Sequence, residues 1–212
     1  MRCIEEAQSL EGGWYYKPRA AGELEGSITV CVVQALRAAK EAGVWVDLEV
    51  IGRAIDYVKR LQAEDGGFMY ALGQPETSVA LTAACLSTLH ATGIYSGNEV
   101  ENGYDFIWRE LGLREVARER DAIGQEARFP FYERFYLSQA LWQHPSQTEF
   151  RRWAPAEIQR VITTQNEDGS WRDIRHDDKG SRREGNYGNC YATAMKCLFL
   201  ALAERMLPIF QR

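Results

Sequence analysis

The chain has 212 residues, of which 45% are hydrophobic and 26% are charged, so it can bury a sizeable core and is not a disordered or fibrous protein. Its net charge of -5, with no basic tract interleaved with aromatic residues, argues against nucleic acid as a partner. No apolar run is long enough for a transmembrane segment, and the first six residues hold no signal region. We therefore expect a cytoplasmic protein, unless an upstream segment is missing.

The cysteines indicate neither a disulfide framework nor a finger-type zinc site. Their number is odd, and no two of them have Cys-x-x-Cys spacing. We expect reduced, mostly buried thiols. The five are Cys3, Cys31, Cys85, Cys190 and Cys197.

Two types of predicted helix alternate along the chain. Residues 48–61 and 100–111 are apolar at helical spacing and charged on the other face, as in outer helices with one wet side. Residues 30–36 and 79–89 are apolar around most of their circumference, as in inner helices, and 132–141 and 189–198 follow them in kind. A short first outer helix, 1–7, comes before them, and a fourth, 158–162, lies behind Pro155 near a helix start. The polar segments 114–128 and 172–188 are expected to be loops. This order predicts an all-α fold.

A short motif occurs three times, each time between an outer and an inner helix. In this Gln–Gly–aromatic motif, Gly follows Gln by four residues and Trp or Phe follows Gly by two. We expect a structural role, in which Gly ends a helix, the Gln amide satisfies backbone groups and the aromatic ring fills the gap between hairpins. The spacings of 54 and 103 residues predict a degenerate copy near residue 113. The copies are Gln8, Gly12 and Trp14; Gln62, Gly66 and Phe68; and Gln165, Gly169 and Trp171.

The motif resembles the QW repeat of squalene and oxidosqualene cyclases, within the family of prenyltransferase and squalene oxidase repeats. Residues 53–68 resemble one whole repeat, and 165–171 match its central part; 191–195 and 207–212 add to the likeness. The resemblance implies an α/α toroid, in which inner and outer helices enclose an apolar cavity that folds a polyisoprenoid chain.

We expect residues 1–212 to supply about four hairpins of such a toroid and to begin inside a repeat, whereas a family toroid closes with about six. The sequence leaves three alternatives open. The chain is a fragment of a longer protein, an open arc capped by its loops, or a ring completed by self-association or by a protein partner. Under each of these alternatives we expect residues 1–212 to form a single repeat domain.

The chain departs from the catalytic patterns of these families. Cyclases carry an Asp-x-Asp-Asp acid motif, and its nearest counterpart here is Arg175-His176-Asp177-Asp178 in a charged loop, which makes His176, Asp177 and Asp178 weak catalytic candidates. The zinc prenyltransferases place Asp two residues before a ligand Cys, but Gly188 precedes Cys190. We expect neither a metal nor another cofactor, and whether the chain is an enzyme stays open.

Six aromatic residues are weak candidates for ligand binding, because cyclases line their cavities with aromatic faces. Helix packing would use the same residues and is the commoner role. The six are Phe131, Tyr132, Phe135, Tyr136, Tyr187 and Tyr191.

Two hypotheses for function follow, and a third ranks below them. In the first, the protein binds an isoprenoid or another apolar ligand on its inner helices. In the second, it is a non-enzymatic scaffold for a protein partner. A glycoside-processing barrel would need paired acids at inner-helix ends, where only Glu133 and Glu184 lie. His90 and His144 are expected to cap helices or to face solvent.

Overall fold

The computed structural model describes residues 2–18, 24–119, 127–176, 182–184 and 187–203. The chain divides into two compact units, Met1–Ile107 and Trp108–Arg212. Its eight described helices are α1 Arg2–Glu6, α2 Gly26–Glu41, α3 Leu48–Arg60, α4 Val79–Ala91, α5 Asn98–Glu119, α6 Pro130–Gln143, α7 Thr148–Thr163 and α8 Gly188–Ala203. This confirms the predicted all-α fold.

The first unit is organised around α4, in which every residue from Val79 to His90 is buried. Helix α2 packs against both α3 and α4. The wet and dry faces of α3 follow the sequence pattern, since Ala54 and Val58 are buried and Glu49 and Arg53 are exposed. Inner and outer helices are therefore distinguishable in this unit as expected.

The second unit packs α6 against α7 and α8. Its core includes Phe131 from α6, Val161 from α7 and Ala192 and Phe199 from α8. A two-stranded antiparallel ribbon lies between α7 and α8, with β1 Ile174–His176 paired to β2 Arg182–Glu184 in the register Ile174 to Glu184. The segment predicted as a polar loop thus contains a short hairpin.

Two predicted helix limits are wrong. Helix α5 runs on to Glu119, because residues 114–119 are mostly strong helix formers with alternating charge. Helix α7 begins at Thr148, so Pro155 lies inside it. Phe150 and Ala154 are buried before the proline, and their apolar contacts hold the helix together upstream of it.

The expectation of mostly buried thiols is also wrong, because only Cys85 is buried. The cause is that α2 and α8 each leave one face in solvent, on which Cys31, Cys190 and Cys197 lie. None of the helices in the described ranges combines the length and apolarity that crossing a bilayer requires.

Candidate functional site

The three copies of the Gln–Gly–aromatic motif fold into one and the same turn. The Gln side-chain Nε2 donates to the Gly carbonyl at 2.8 Å in the first copy, 3.0 Å in the second and 2.9 Å in the third. Each Gly has a positive φ, of 96°, 88° and 83° in that order, which an L side chain rarely adopts. The motif is therefore a helix-ending turn closed by a glutamine amide.

Each turn is also fastened to the inner helix that follows it. The backbone N–H of the aromatic residue donates to a threonine Oγ1 one helix later, at 3.1 Å for Trp14, 2.9 Å for Phe68 and 3.0 Å for Trp171. Both tryptophans donate from indole Nε1 to a carbonyl ten residues back, on Ile4 and Val161. Such repeated bonds show a structural turn at every intact copy.

The degenerate copy has no such turn, because α5 continues through residue 113. Four residues after Leu113 stands Ala117 instead of glycine, so the chain stays in the right-handed helix. The inner helix expected to follow, 132–141, is present within α6.

The aromatic candidates form two groups of touching rings on α6 and at the start of α8. Tyr132 and Tyr136 lie with ring centroids 4.6 Å apart, and Phe135 meets Tyr136 at 5.2 Å. In the other group, Tyr191 lies between Phe131 at 6.0 Å and Tyr187 at 5.0 Å. Because Tyr132, Phe135 and Tyr191 are only half-buried, and Tyr187 is 54% exposed, part of this aromatic surface is open to a ligand.

Phe131 belongs to the core and not to this open surface. It is buried, and the Lys196 ammonium lies 5.8 Å from its ring centroid and 5.7 Å from that of Trp171. Lys196 Nζ also donates to Thr164 Oγ1 at 3.1 Å. A cation of the protein itself thus faces this ring, as cation–π packing would arrange it.

Asp173, beside the second aromatic group, is a buried carboxylate that the sequence reading missed. Its Oδ2 accepts from the backbone N–H groups of Tyr187 and Gly188, both at 2.7 Å, and so caps the start of α8. Asn189 Oδ1 accepts from the Asp173 N–H at 3.1 Å, and Oδ1 of Asp173 is buried without a hydrogen bond. An acid 15 residues before a helix start gave no local signal for this cap.

Burial, helped by the neighbouring Tyr187 and Asp173, raises the pKa of Tyr191 above its ordinary value. The Tyr191 phenol therefore stays neutral at physiological pH.

The structure describes the side chain of none of the three catalytic candidates. Asp177 and Asp178 lie outside the described residues, and His176 is described only by its backbone, which pairs with Arg182. The Glu184 side chain is likewise not described. Glu133 is buried in an ion pair with Arg114, at 2.5 and 3.2 Å, so its carboxylate is engaged by a guanidinium.

The histidines differ from each other. His90 is fully buried, contrary to a solvent-facing role, with Nδ1 2.8 Å from the Ile94 carbonyl and Nε2 2.7 Å from the Tyr104 hydroxyl. His144 is the residue after α6, and its Nδ1 accepts from the Ser146 N–H at 3.2 Å. Both side chains serve helix ends or packing.

Within the described ranges, no group of three or more His, Cys, Asp or Glu side chains is placed to hold a metal ion. No model of a known protein family matches the chain, and no curated protein matches it. What the described site offers chemically is two partly exposed aromatic groups, the second of them beside a helix-capping carboxylate.

Proposed function

We propose that the protein is a squalene-cyclase-like α/α-toroid protein that binds an isoprenoid or another apolar ligand. The observation that carries the proposal is the partial exposure of two aromatic groups, Tyr132 with Phe135 and Tyr191 with Tyr187. Aromatic faces contribute large apolar area and an electron-rich surface at low conformational cost.

The repeated turn supports the toroid part of this proposal. The same hydrogen-bonded junction follows three of the four outer helices, α1, α3 and α7, as expected for stacked equivalent hairpins. The resemblance to cyclase repeats supplies the ring, with α2, α4, α6 and α8 as its inner helices.

Binding is proposed without a reaction. One oxygen of the buried Asp173 carboxylate accepts hydrogen bonds from two backbone N–H groups. Such a cap fixes the position of Tyr187 and, through α8, that of Tyr191. Asp173 is therefore assigned as a positioning residue for the aromatic surface.

Native mass spectrometry of the purified chain, before and after organic extraction, tests the proposal. We expect a retained mass of isoprenoid size that extraction removes and that added squalene restores. Tyr132→Ala and Tyr191→Ala should weaken squalene binding about ten-fold, which corresponds to about 1.4 kcal/mol. Tyr95→Ala, in the first unit, is the matched control and should bind normally. A chain that retains nothing and takes up no squalene would contradict the proposal.

A second candidate function, an interaction scaffold, is favoured by one specific observation. Val44 and Trp45, just before α3, and Leu48, its first residue, are 47%, 75% and 60% exposed. Adjacent exposed apolar side chains of this size mark interaction surfaces.

Self-association measured by native mass spectrometry separates this candidate from the first. A ligand-free dimer that Trp45→Ser with Leu48→Ser converts to a monomer would favour the scaffold. A wild-type chain that is already a monomer, and whose squalene binding the double variant leaves unchanged, would exclude that use of the patch.

A further inference from the structure

The third Gln–Gly–aromatic motif differs from the other two in what covers it. Gly12 and Gly66 are buried, whereas Gln165 and Gly169 are exposed. The internal bonds of the three turns are nevertheless the same, so the third turn has the same shape with an open side.

The first two motifs hold the beginning of the next outer helix. Nε2 of Gln8 donates to the Val50 carbonyl at 2.8 Å, and Nε2 of Gln62 donates to the Glu99 carbonyl at 2.9 Å. These carbonyls lie in the first turns of α3 and α5. The amide thus binds the turn and the incoming helix with its two N–H groups.

The glycine of each occupied motif lets the incoming helix approach closely. A Cβ on Gly12 would lie 2.2 Å from the Arg53 carbonyl oxygen, and one on Gly66 would lie 2.5 Å from that of Asn102. Around Gly169, by contrast, the described residues leave the same space open, with Gln165 Nε2 at 4.0 Å the nearest atom.

The residue three positions before each Gln contacts the beginning of the next outer helix. Glu5 accepts from the Asp47 N–H at 3.0 Å, ahead of α3, and Lys59 pairs with Glu99 of α5 at 3.6 Å. The corresponding residue of the third motif is Ile162, which is apolar and 50% exposed.

The acidic residue before the glycine is common to all three motifs. Asp168 stands immediately before Gly169, as Glu11 and Asp65 stand before the glycines of the occupied motifs.

We propose that Ile162, Gln165 and Gly169 form a docking surface for the first turns of an amphipathic α-helix of a protein partner, with an apolar side chain of that helix over Ile162. The contacts of the first two motifs with α3 and α5 show what such an interface contains, and the third motif presents the same glutamine and glycine. The surface is preformed, which limits the ordering cost of binding. The proposal is independent of the aromatic surface and of any apolar ligand.

The test uses two peptides and the full chain. One peptide has the sequence of residues 96–111, which begins α5, and the other is the same peptide with Glu99→Leu. Binding is followed by NMR on the Gln165 side-chain amide and the Gly169 N–H. We expect both signals to shift, with the leucine peptide binding about ten-fold more tightly to the chain. Ile162→Lys should reverse this preference.

Gly169→Ala should abolish the shifts, because its Cβ would occupy the space of the incoming carbonyl. Gln165→Leu removes the bridging amide and its bond to the Gly169 carbonyl but keeps the glycine and its positive φ, and it should weaken binding even where Gly169→Ala perturbs the fold. The proposal is overturned if neither peptide shifts these signals at about 1 mM, an affinity limit of about -4 kcal/mol. Equal binding to wild-type chain and Gln165→Leu would overturn it as well.

Discussion

A single carbonyl oxygen distinguishes the motif glycines from one another. The same residue type with the same positive φ is enclosed by a carbonyl oxygen in one copy and open in another. Replacing an enclosed and an open motif glycine by alanine therefore measures two costs separately. The open position gives the cost of the backbone conformation, and the difference between the two positions gives the cost of the collision.

Gly66→Ala should destabilise the protein far more than Gly169→Ala. The positive φ costs alanine about 1 to 2 kcal/mol at either position, and the collision with the Asn102 carbonyl adds about 1 to 3 kcal/mol at Gly66 alone. Urea unfolding of the two variants measures the difference. Equal losses would mean that helix α5 does not rest on Gly66.

Tyr57 should make the protein less stable in alkali. Burial raises the pKa of this phenol well above its ordinary value, with a smaller contribution from Cys85, and its hydroxyl donates to the Leu24 carbonyl at 3.0 Å. In the unfolded chain the phenol ionises near about pH 10. Above that pH the unfolded state binds fewer protons than the folded state, so the free energy of unfolding falls as the pH rises.

Urea unfolding at about pH 8 and about pH 11 measures this loss, with Tyr57→Phe as the matched variant. The variant should be about 1 kcal/mol less stable near pH 8, since it lacks the hydrogen bond, but should lose less between the two pH values. Part of the loss remains, because burial also raises the pKa of Tyr70 to about 12. Parallel losses in both proteins would contradict the assignment to Tyr57.

At the scale of helices, apolar periodicity predicted most elements and failed where other contacts decide. It predicted α3, α4 and α6 because their buried residues are close together in sequence. The start of α7 was missed, since a proline is a helix-start signal and burial of Phe150 overrides it. The Asp173 cap was missed because its partners are 14 and 15 residues away.

Pro155→Ala should stabilise α7. The proline is exposed and stands mid-helix, where it lacks an N–H for the carbonyl of Arg151 and crowds that turn. We expect a gain of about 1 to 3 kcal/mol in the free energy of unfolding, measured in urea. Gln159→Ala, on the exposed side of the same helix, should change stability by less than about 0.5 kcal/mol. A loss of stability in Pro155→Ala would show that the ring makes packing contacts.

At the scale of the whole molecule, the repeat pattern predicted the number and order of helices, while their closure into a ring stays a prediction. The two compact units each contain inner and outer helices with their own buried core. A sequence period reports which junctions are equivalent, but it carries no information on how far a stack of them curves.

Leu86→Ala and Leu141→Ala should loosen different parts of the chain. Both leucines are fully buried, one in each unit, and each truncation should cost about 2 to 5 kcal/mol. Hydrogen exchange should accelerate mainly in α2 to α4 for Leu86→Ala and mainly in α6 to α8 for Leu141→Ala. Uniform acceleration in both variants would show that residues 1–212 unfold as one cooperative domain.

The glutamine of each occupied motif recognises the next helix through a main-chain carbonyl, an atom that every amino acid possesses. This hydrogen bond therefore makes no demand on the side chain of the residue whose carbonyl it uses. When a gene gains or loses one hairpin, the same hydrogen bond can form between the two hairpins that become neighbours. Proteins built in this way can therefore change length in evolution by whole hairpins.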